Sequence, residues 1–271
     1  MFLSIIDFVA KILYMRKYFL LLIIALGLGG GFWYYRHRSE SGSKIDLPPA
    51  QNYQDFVEID NSDNASTTTT TTVQINQPVI AVKTSVNLEI PFSSQAPTAN
   101  WEQPFQDACE EAAVLMVDYY YQNKNLPDKQ TVEKLLVDMV KWQEDNWGEH
   151  ANLPVARLAD FVLATFNYRP VVIDDLTVAK IKNYLNQGLP VIVPANGKKL
   201  ANPNFRNGGP VYHMLVIKGY IDDKFITNDP GTRKGADFIY SQTNLMESIA
   251  DWDTKEAAAS GSKKALILYR D

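Results

Sequence analysis

The pattern of apolar and polar positions divides the chain into three parts. An uncharged apolar run covers residues 18–35, a polar stretch rich in Ser, Thr and Asn covers 39–85, and a mixed pattern covers 86–271. The apolar run is just long enough to cross a bilayer as a helix, whereas the polar stretch cannot bury enough apolar surface to fold. The pattern therefore predicts a membrane anchor over 1–38, a flexible stalk over 39–85 and one folded domain over 86–271.

Within the folded part, the spacing of apolar residues predicts mainly helices first and mainly strands afterwards. A helix is predicted to start at Cys109, because apolar residues recur from there to Tyr120 at helical spacing. Further helices are predicted over 131–142, 153–166 and 177–186 and near Leu245, with strands over 86–91, 169–173, 189–194, 211–220, 224–228, 237–240 and 265–269. A group of helices combined with an antiparallel sheet is an α+β layout.

Two of the predicted strands, 211–220 and 224–228, form a β-hairpin in this interpretation. The turn between them consists of Ile221 and the two aspartates that follow it. Because the open ends of a hairpin lie side by side, His213 on the first strand is expected near Asp229, which follows the second.

Cys109 is the only cysteine in the chain and stands at a predicted helix start. Asp107 is expected to be the N-cap of that helix, with Glu110 completing a capping box. The positive end of the helix dipole favours a thiolate, whereas Glu110 and Glu111 disfavour a second anion. The alternative is an inert, buried thiol, but a single strand pair that carries both a histidine and an aspartate favours a nucleophile.

Charge and composition exclude several classes of function. The formal net charge of −5 argues against a nucleic-acid partner, since phosphate binding requires a concentrated positive field. A single cysteine rules out an internal disulfide bond. The three histidines, His37, His150 and His213, match no zinc-binding spacing, so neither a metal site nor another cofactor is expected.

The apolar run is flanked by basic residues on both sides and ends in Trp33, Tyr34 and Tyr35, which suit a membrane interface. No cleavage site of the small-x-small type follows it, so an uncleaved signal anchor is favoured over a secretory signal peptide. We expect a single-pass protein of a bacterial-type cell membrane with its folded domain on the extracytoplasmic side. Either Met1 or Met15 is compatible with the start of such an anchor.

Three sequence blocks, IPFSSQAPTANWEQPFQDACEEA, VYHMLVIKGY and FITNDPGT, together resemble the C39-like cysteine peptidases of the papain-like superfamily over residues 86–271. The resemblance implies a papain-like fold in which the helix of Cys109 packs on a sheet carrying His213 and Asp229. It also implies hydrolysis of peptide bonds by a Cys-His-Asp triad, with Gln95 as oxyanion donor and no cofactor. The chain departs from many members in having two glutamates, rather than Gly-Pro, after the cysteine.

The expected substrate is a peptide or protein, bound by a monomer. Trp101, Trp147 and Tyr212 are predicted to line the substrate cleft, and the loop 196–209 to shape access to it. Two alternatives stay open. One is a membrane-anchored peptide-binding module with an unreactive thiol, and the other is a cell-wall amidase or transglutaminase-like enzyme.

Overall fold

The computed structural model describes residues 45–57, 83–150 and 152–270. The predicted membrane span over 18–35 lies outside these residues, as does most of the predicted stalk. Among the described helices, none combines the length and the apolar character that a membrane span requires.

Residues Leu47–Asp271 form one unit, and its main element is a seven-stranded antiparallel sheet. Six strands follow the order β2-β9-β3-β4-β5-β6, and β1 pairs with β4 beyond the end of β3. A separate two-stranded sheet joins β7 to β8. The strands are β1 (Ser85–Asn87), β2 (Arg169–Ile173), β3 (Val191–Ala195), β4 (His213–Ile221), β5 (Lys224–Asn228), β6 (Phe238–Ser241), β7 (Trp252–Asp253), β8 (Ala258–Ala259) and β9 (Ala265–Tyr269).

Besides the helical residues 53–57, six helices in the described part of the chain accompany the sheet. They are α1 (Cys109–Tyr121), α2 (Lys129–Trp147), α3 (Val155–Thr165), α4 (Val178–Asn186), α5 (Gly197–Leu200) and α6 (Gln242–Ser248), with short 3-10 turns at Phe105–Asp107 and Arg206–Gly208. This combination confirms the predicted α+β class. The predicted loop after β3 differs, since it contains α5, whose N-cap Asn196 accepts hydrogen bonds from two backbone N–H groups.

Helix α1 is the centre of the core. Every one of its residues except Tyr119 is buried, because apolar clusters lie on both of its sides. One cluster joins α1 to the sheet and to α3, and the other packs Ala112 and Leu115 against Val132 and Leu136 of α2. A helix enclosed in this way holds its first residue, Cys109, in a fixed position against β4.

The predicted capping of α1 is wrong. Ala108 occupies the N-cap position and provides no side-chain cap, while Asp107 closes the preceding 3-10 turn. The carboxylate of Asp107 accepts a hydrogen bond from the amide of Gln103 instead, at 2.7 Å. Glu110 turns away from the helix start, because its carboxyl accepts a hydrogen bond from the backbone N–H of Leu153.

Part of the predicted stalk packs with the folded domain. Gln51 forms a bridge with Leu88, and the ring of Tyr53 meets those of Tyr120 and Tyr121 edge-on, at 5.9 and 4.9 Å between centroids. The stretch 47–57 therefore belongs with the domain, and the stalk prediction over 39–85 includes residues that contribute to packing.

A hydrogen bond anchors the far end of α1 to the sheet. The Tyr121 hydroxyl donates to the Leu268 carbonyl of β9 at 2.6 Å in a buried setting. We expect Tyr121→Phe to lower the free energy of unfolding by about 1–3 kcal/mol, since the carbonyl loses its donor. Urea denaturation of the full chain measures the change.

Tyr119→Phe is the matched control. Tyr119 lies two residues before Tyr121 on the same helix. The hydroxyl of Tyr119 makes no hydrogen bond to another described residue. Equal losses of stability in the two variants would contradict the anchoring role of the Tyr121 hydroxyl.

Candidate active site

The β4–β5 hairpin brings His213 and Asp229 together. Its register pairs Val216 with Asn228, so the first residue of β4 and the residue after β5 lie at the same end. The Nε2 of His213 donates to Oδ1 of Asp229 at 2.7 Å, and the two side chains are 1% and 0% exposed. The hairpin thus produces the proximity that its sequence pattern predicts.

Four donors fix the carboxylate of Asp229. Oδ1 also accepts from the backbone N–H of Gly231 at 3.0 Å, while Oδ2 accepts from the Tyr240 hydroxyl at 2.6 Å and from the Asn202 amide at 3.1 Å. Burial alone would raise the pKa of Asp229, but His213 and these hydrogen bonds outweigh burial and lower it. The ionised carboxylate can only accept, so His213 carries its proton on Nε2 toward Asp229 and Nδ1 is left for other chemistry.

Two neighbours hold the imidazole ring in place. Phe205 meets it edge-on at 5.3 Å between ring centroids. Gly231 lies so close that a Cβ there would stand 2.8 Å from Cε1 of His213. A larger residue at position 231 would displace the ring, so glycine is required by packing rather than by backbone conformation.

Cys109 begins α1 with a neutral thiol. Its side chain is 3% exposed, and Sγ donates to Oε2 of Glu110 at 3.0 Å. Burial, followed by the charge of Glu110, raises the pKa of Cys109 well above its ordinary value; a backbone hydrogen bond from Met214, the residue after His213, acts in the opposite direction. Among the described residues, the thiol therefore donates its hydrogen bond to Glu110 and not to His213.

Gln95 links the loop before α1 to the turn after β5. Its Nε2 donates to the carbonyls of Phe105 and Gln106, both at 2.9 Å, and its backbone N–H donates to Pro230 at 3.0 Å. These bonds explain how the long spacing between Gln95 and Cys109 is accommodated, since the intervening chain folds back through a 3-10 turn.

A cleft of about 980 Å³ opens beside these residues. Three segments form its walls: the loop before α1, the loop before β4 and the turn after β5. The lining residues are Gln95, Trp101, Gln106, Asp107, Pro203, Asn204, Phe205, Arg206, Asn207, Gly209, Pro210, Gly231, Thr232, Arg233 and Lys234. Phe205 and Gly231, which contact the ring of His213, thus also line the cleft.

A model of the peptidase C39-like family matches residues 87–259 of the chain. The chain belongs to the peptidase C39-like family. No curated protein matches it. Among the solved structures that match is the crystal structure of a C39-like peptidase candidate from Bacillus anthracis, with 17% identity, a TM-score of 0.44 and coverage of 69% of this chain and 98% of that chain. Family membership implies a peptidase that acts on a peptide or protein substrate.

In this C39-like domain, only one of the three aromatic residues predicted to line the cleft does so. Trp101 lines it. Trp147 lies elsewhere, packed edge-on against Trp142 and Phe161. Tyr212 is buried and donates its hydroxyl to the Leu153 carbonyl at 2.8 Å. Core packing engages Trp147 and Tyr212, so the prediction that they bind substrate is corrected.

The two glutamates that set this chain apart from many C39-like members are both buried. Burial, and next the charge of Glu111, raises the pKa of Glu110 to about 8, so Glu110 retains its proton at neutral pH. Glu111 accepts from the amide of Gln143 and lies 3.6 Å from Nε2 of His150. Burial alone would lower the pKa of His150, but its contact with Glu111 raises it. Of the two glutamates expected to be anions beside the thiol, Glu110, which contacts it, is therefore neutral at physiological pH.

Several residues of the site escaped sequence reasoning. Asn202 and Tyr240 hold Asp229 from positions 27 and 11 residues away, and no local pattern marks them. Nor did the sequence indicate which of its many basic residues line the cleft. Within the described residues, no group of three or more His, Cys, Asp or Glu side chains could hold a metal ion.

The protonated Glu110 makes stability depend on pH. In the unfolded chain this carboxyl loses its proton near its ordinary pKa of 4.5, whereas in the fold it keeps the proton to about pH 8. The unfolded state therefore binds fewer protons in that window, so the contribution of Glu110 to stability falls as pH rises from 4.5 to 8 and is constant above.

Glu110→Gln removes this dependence while conserving the shape of the side chain. We expect its free energy of unfolding, relative to the natural chain, to rise by on the order of 3 kcal/mol between pH 5 and pH 8.5. Chemical denaturation at a series of pH values measures it, with the exposed Glu102→Gln as control. Parallel pH curves for the natural chain and Glu110→Gln would show that Glu110 is not protonated in the fold.

Proposed function

We propose that this chain is a membrane-anchored cysteine peptidase that cleaves peptide bonds through Cys109, His213 and Asp229. The observation that carries the proposal is the buried contact between Nε2 of His213 and Oδ1 of Asp229, at 2.7 Å. It orients an imidazole whose Nδ1 has no hydrogen-bond partner among the described residues, one residue from the backbone group that contacts the Cys109 sulfur. A buried, oriented imidazole of this kind is the base that thiol catalysis requires.

The reaction begins when the Cys109 thiol transfers its proton to Nδ1 of His213. The thiol first turns from Glu110, and because Glu110 is neutral at physiological pH it does not repel the forming thiolate. The resulting imidazolium is stabilised by the Asp229 carboxylate, and the Met214 N–H stabilises the thiolate.

The thiolate then attacks the carbonyl carbon of a peptide bond and forms a carbon–sulfur bond. The oxyanion is held by N–H groups at the start of α1, and by Gln95 once its amide releases one of its two carbonyl partners. His213 returns the proton to the leaving amine as the carbon–nitrogen bond breaks. Water, deprotonated by His213, attacks the thioester and releases the acid and the thiol.

Labelling by an electrophilic peptide analogue tests this mechanism. We expect the full-length chain to be labelled at Cys109, and Cys109→Ser to abolish labelling. His213→Ala should slow labelling about 100-fold or more, because the base is lost. Asp229→Asn should slow it at least tenfold, since the imidazole loses its orientation and its counter-charge.

Asp223→Asn is the matched control, because Asp223 lies at the turn end of the same hairpin and is exposed. Labelling at an undiminished rate in His213→Ala would refute the catalytic pair. If Asp223→Asn slowed labelling to the same extent as Asp229→Asn, the effect of Asp229→Asn would be one on folding and not on catalysis.

One observation favours a second function, a peptide-binding module with an unreactive thiol. Cys109 is 3% exposed, its thiol donates to Glu110, and the pKa of Cys109 is raised. This alternative requires that the natural chain resist labelling over the pH range 6–9 and bind peptides as tightly as Cys109→Ala does. Fluorescence polarisation with labelled peptides measures that binding.

Membrane attachment is part of the proposal. Its support is the uncharged run over 18–35, which as a helix is about 27 Å long and comparable with the hydrocarbon core of a bilayer. We expect the full chain to stay with membranes after alkaline carbonate washing, and a chain lacking residues 1–38 to be released. The proposed location of the domain is extracytoplasmic, and protease added to intact spheroplasts would then digest it.

A further inference from the structure

The cleft is positively charged although the chain as a whole is negative. Arg206, Arg233 and Lys234 line it, whereas a single carboxylate, that of Asp107, does so. The Asp107 carboxylate is already a hydrogen-bond acceptor for the amide of Gln103 at 2.7 Å. With a net charge of −5 over the whole chain, the cleft is a local reversal of sign.

These three cationic side chains have no ion-pair partner among the residues that the structure describes. Other exposed lysines of the domain do have one: Lys134 and Lys141, for example, pair with carboxylates one helical turn away. Positive charges that lie unpaired in a cleft raise the local concentration of anionic ligands and orient them. The lining therefore selects for negative charge on what enters.

The cations belong to two of the wall segments, the loop before β4 and the turn after β5. Arg206 directly follows Phe205, and Arg233 stands two residues after Gly231; Phe205 and Gly231 are the residues that contact the imidazole of His213. Asp107 belongs to the third segment, the loop before α1, and stands two residues before Cys109 in the chain. The positive charges thus belong to the segments that contact the imidazole, while the negative group belongs to the segment that leads to the thiol.

This asymmetry defines which part of a substrate meets the cations. In a cysteine peptidase the imidazole protonates the amine that leaves, so the segment on the C-terminal side of the cleaved bond lies nearest the imidazole. We propose that the cleft selects peptides with a carboxylate on the C-terminal side of the cleaved bond. This inference rests on the proposed peptidase function and specifies its substrate class.

The carboxylate has two possible sources, an Asp or Glu side chain or the free C-terminus of the substrate. Four pools of internally quenched peptides separate them. The first pool has Asp and Glu at its variable positions and the second has Asn and Gln there. The peptides of both pools have amidated C-termini. The other two pools are their counterparts with free C-terminal carboxylates. The measured quantity is kcat/KM of the full-length chain for each pool.

For the side-chain source, we expect the acidic amidated pool to be cleaved about three- to tenfold better than the neutral amidated pool, because exposed charge pairs each contribute modestly. If the carboxylate is the free C-terminus, we expect the neutral pool with free C-termini to be cleaved better than the neutral amidated pool by the same factor. In either case the preference falls toward unity between about 50 and 500 mM salt, as screening increases. Equal kcat/KM for all four pools overturns the inference.

Arg206→Gln/Arg233→Gln tests the residues. We expect the ratio of acidic to neutral cleavage, or of free-acid to amide cleavage, to fall to within twofold of unity. Lys129→Gln/Lys255→Gln is the control, since it removes the same charge from exposed positions outside this cleft. An undiminished ratio in the arginine double variant, or an equal decline in the lysine control, would refute the assignment to the cleft cations.

A binding measurement distinguishes this inference from the proposed function itself. Cys109→Ala in the full-length chain cannot form the acyl-enzyme, and polarisation of the same peptides, labelled with one fluorophore, reports binding alone. If no pool is cleaved but the acidic or free-acid peptides bind about threefold or more tightly, peptidase activity fails and the charge selection stands. If peptides are cleaved but bind without regard to charge, the inference fails and the peptidase stands.

Discussion

The contact between His213 and Asp229 is the interaction on which the rest of the site depends. It buries a carboxylate completely, which is tolerated only because His213, Gly231, Tyr240 and Asn202 satisfy its oxygens. These partners come from the β4 and β5 ends, β6 and the loop after α5. The carboxylate therefore fixes the imidazole and also holds together two of the three segments that form the cleft walls, the loop before β4 and the turn after β5.

The surroundings of the thiol differ from those of the imidazole. Helix α1 is enclosed by apolar side chains, and two glutamates enter this core directly after Cys109. A carboxyl so placed favours its neutral form, which is why the pKa of Glu110 rises to about 8. The thiol rests against this neutral carboxyl, and proton transfer to His213 is the step that would create charge there. In the proposed enzyme, nucleophile and base thus sit in contrasting electrostatic surroundings.

Much of the fold was predictable from local patterns. The strands over 169–173, 224–228 and 265–269 lie at their predicted positions, because apolar residues bounded by turn signals indicate strands. Helix α2 is longer than predicted, since Asp128 caps it and Gly148 ends it in a left-handed conformation, signals that the apolar spacing did not include. The packing of 47–57 on the tyrosines of α1 was not predictable, as that stretch lacks a strong period of its own.

The sequence by itself determined the class of fold, the start of α1 at Cys109 and the meeting of His213 with Asp229. These follow from short-range periodicity and from the geometry of one hairpin, in which partners are near in sequence. Only the tertiary structure decided that Asn202 and Tyr240 hold the aspartate, that Glu110 contacts the thiol, that Tyr212 and Trp147 lie outside the cleft and that cations line it. The reason is that burial and hydrogen-bond partners depend on contacts between distant segments of the chain. The residues next to a side chain in the sequence do not indicate which residues surround it in the folded core.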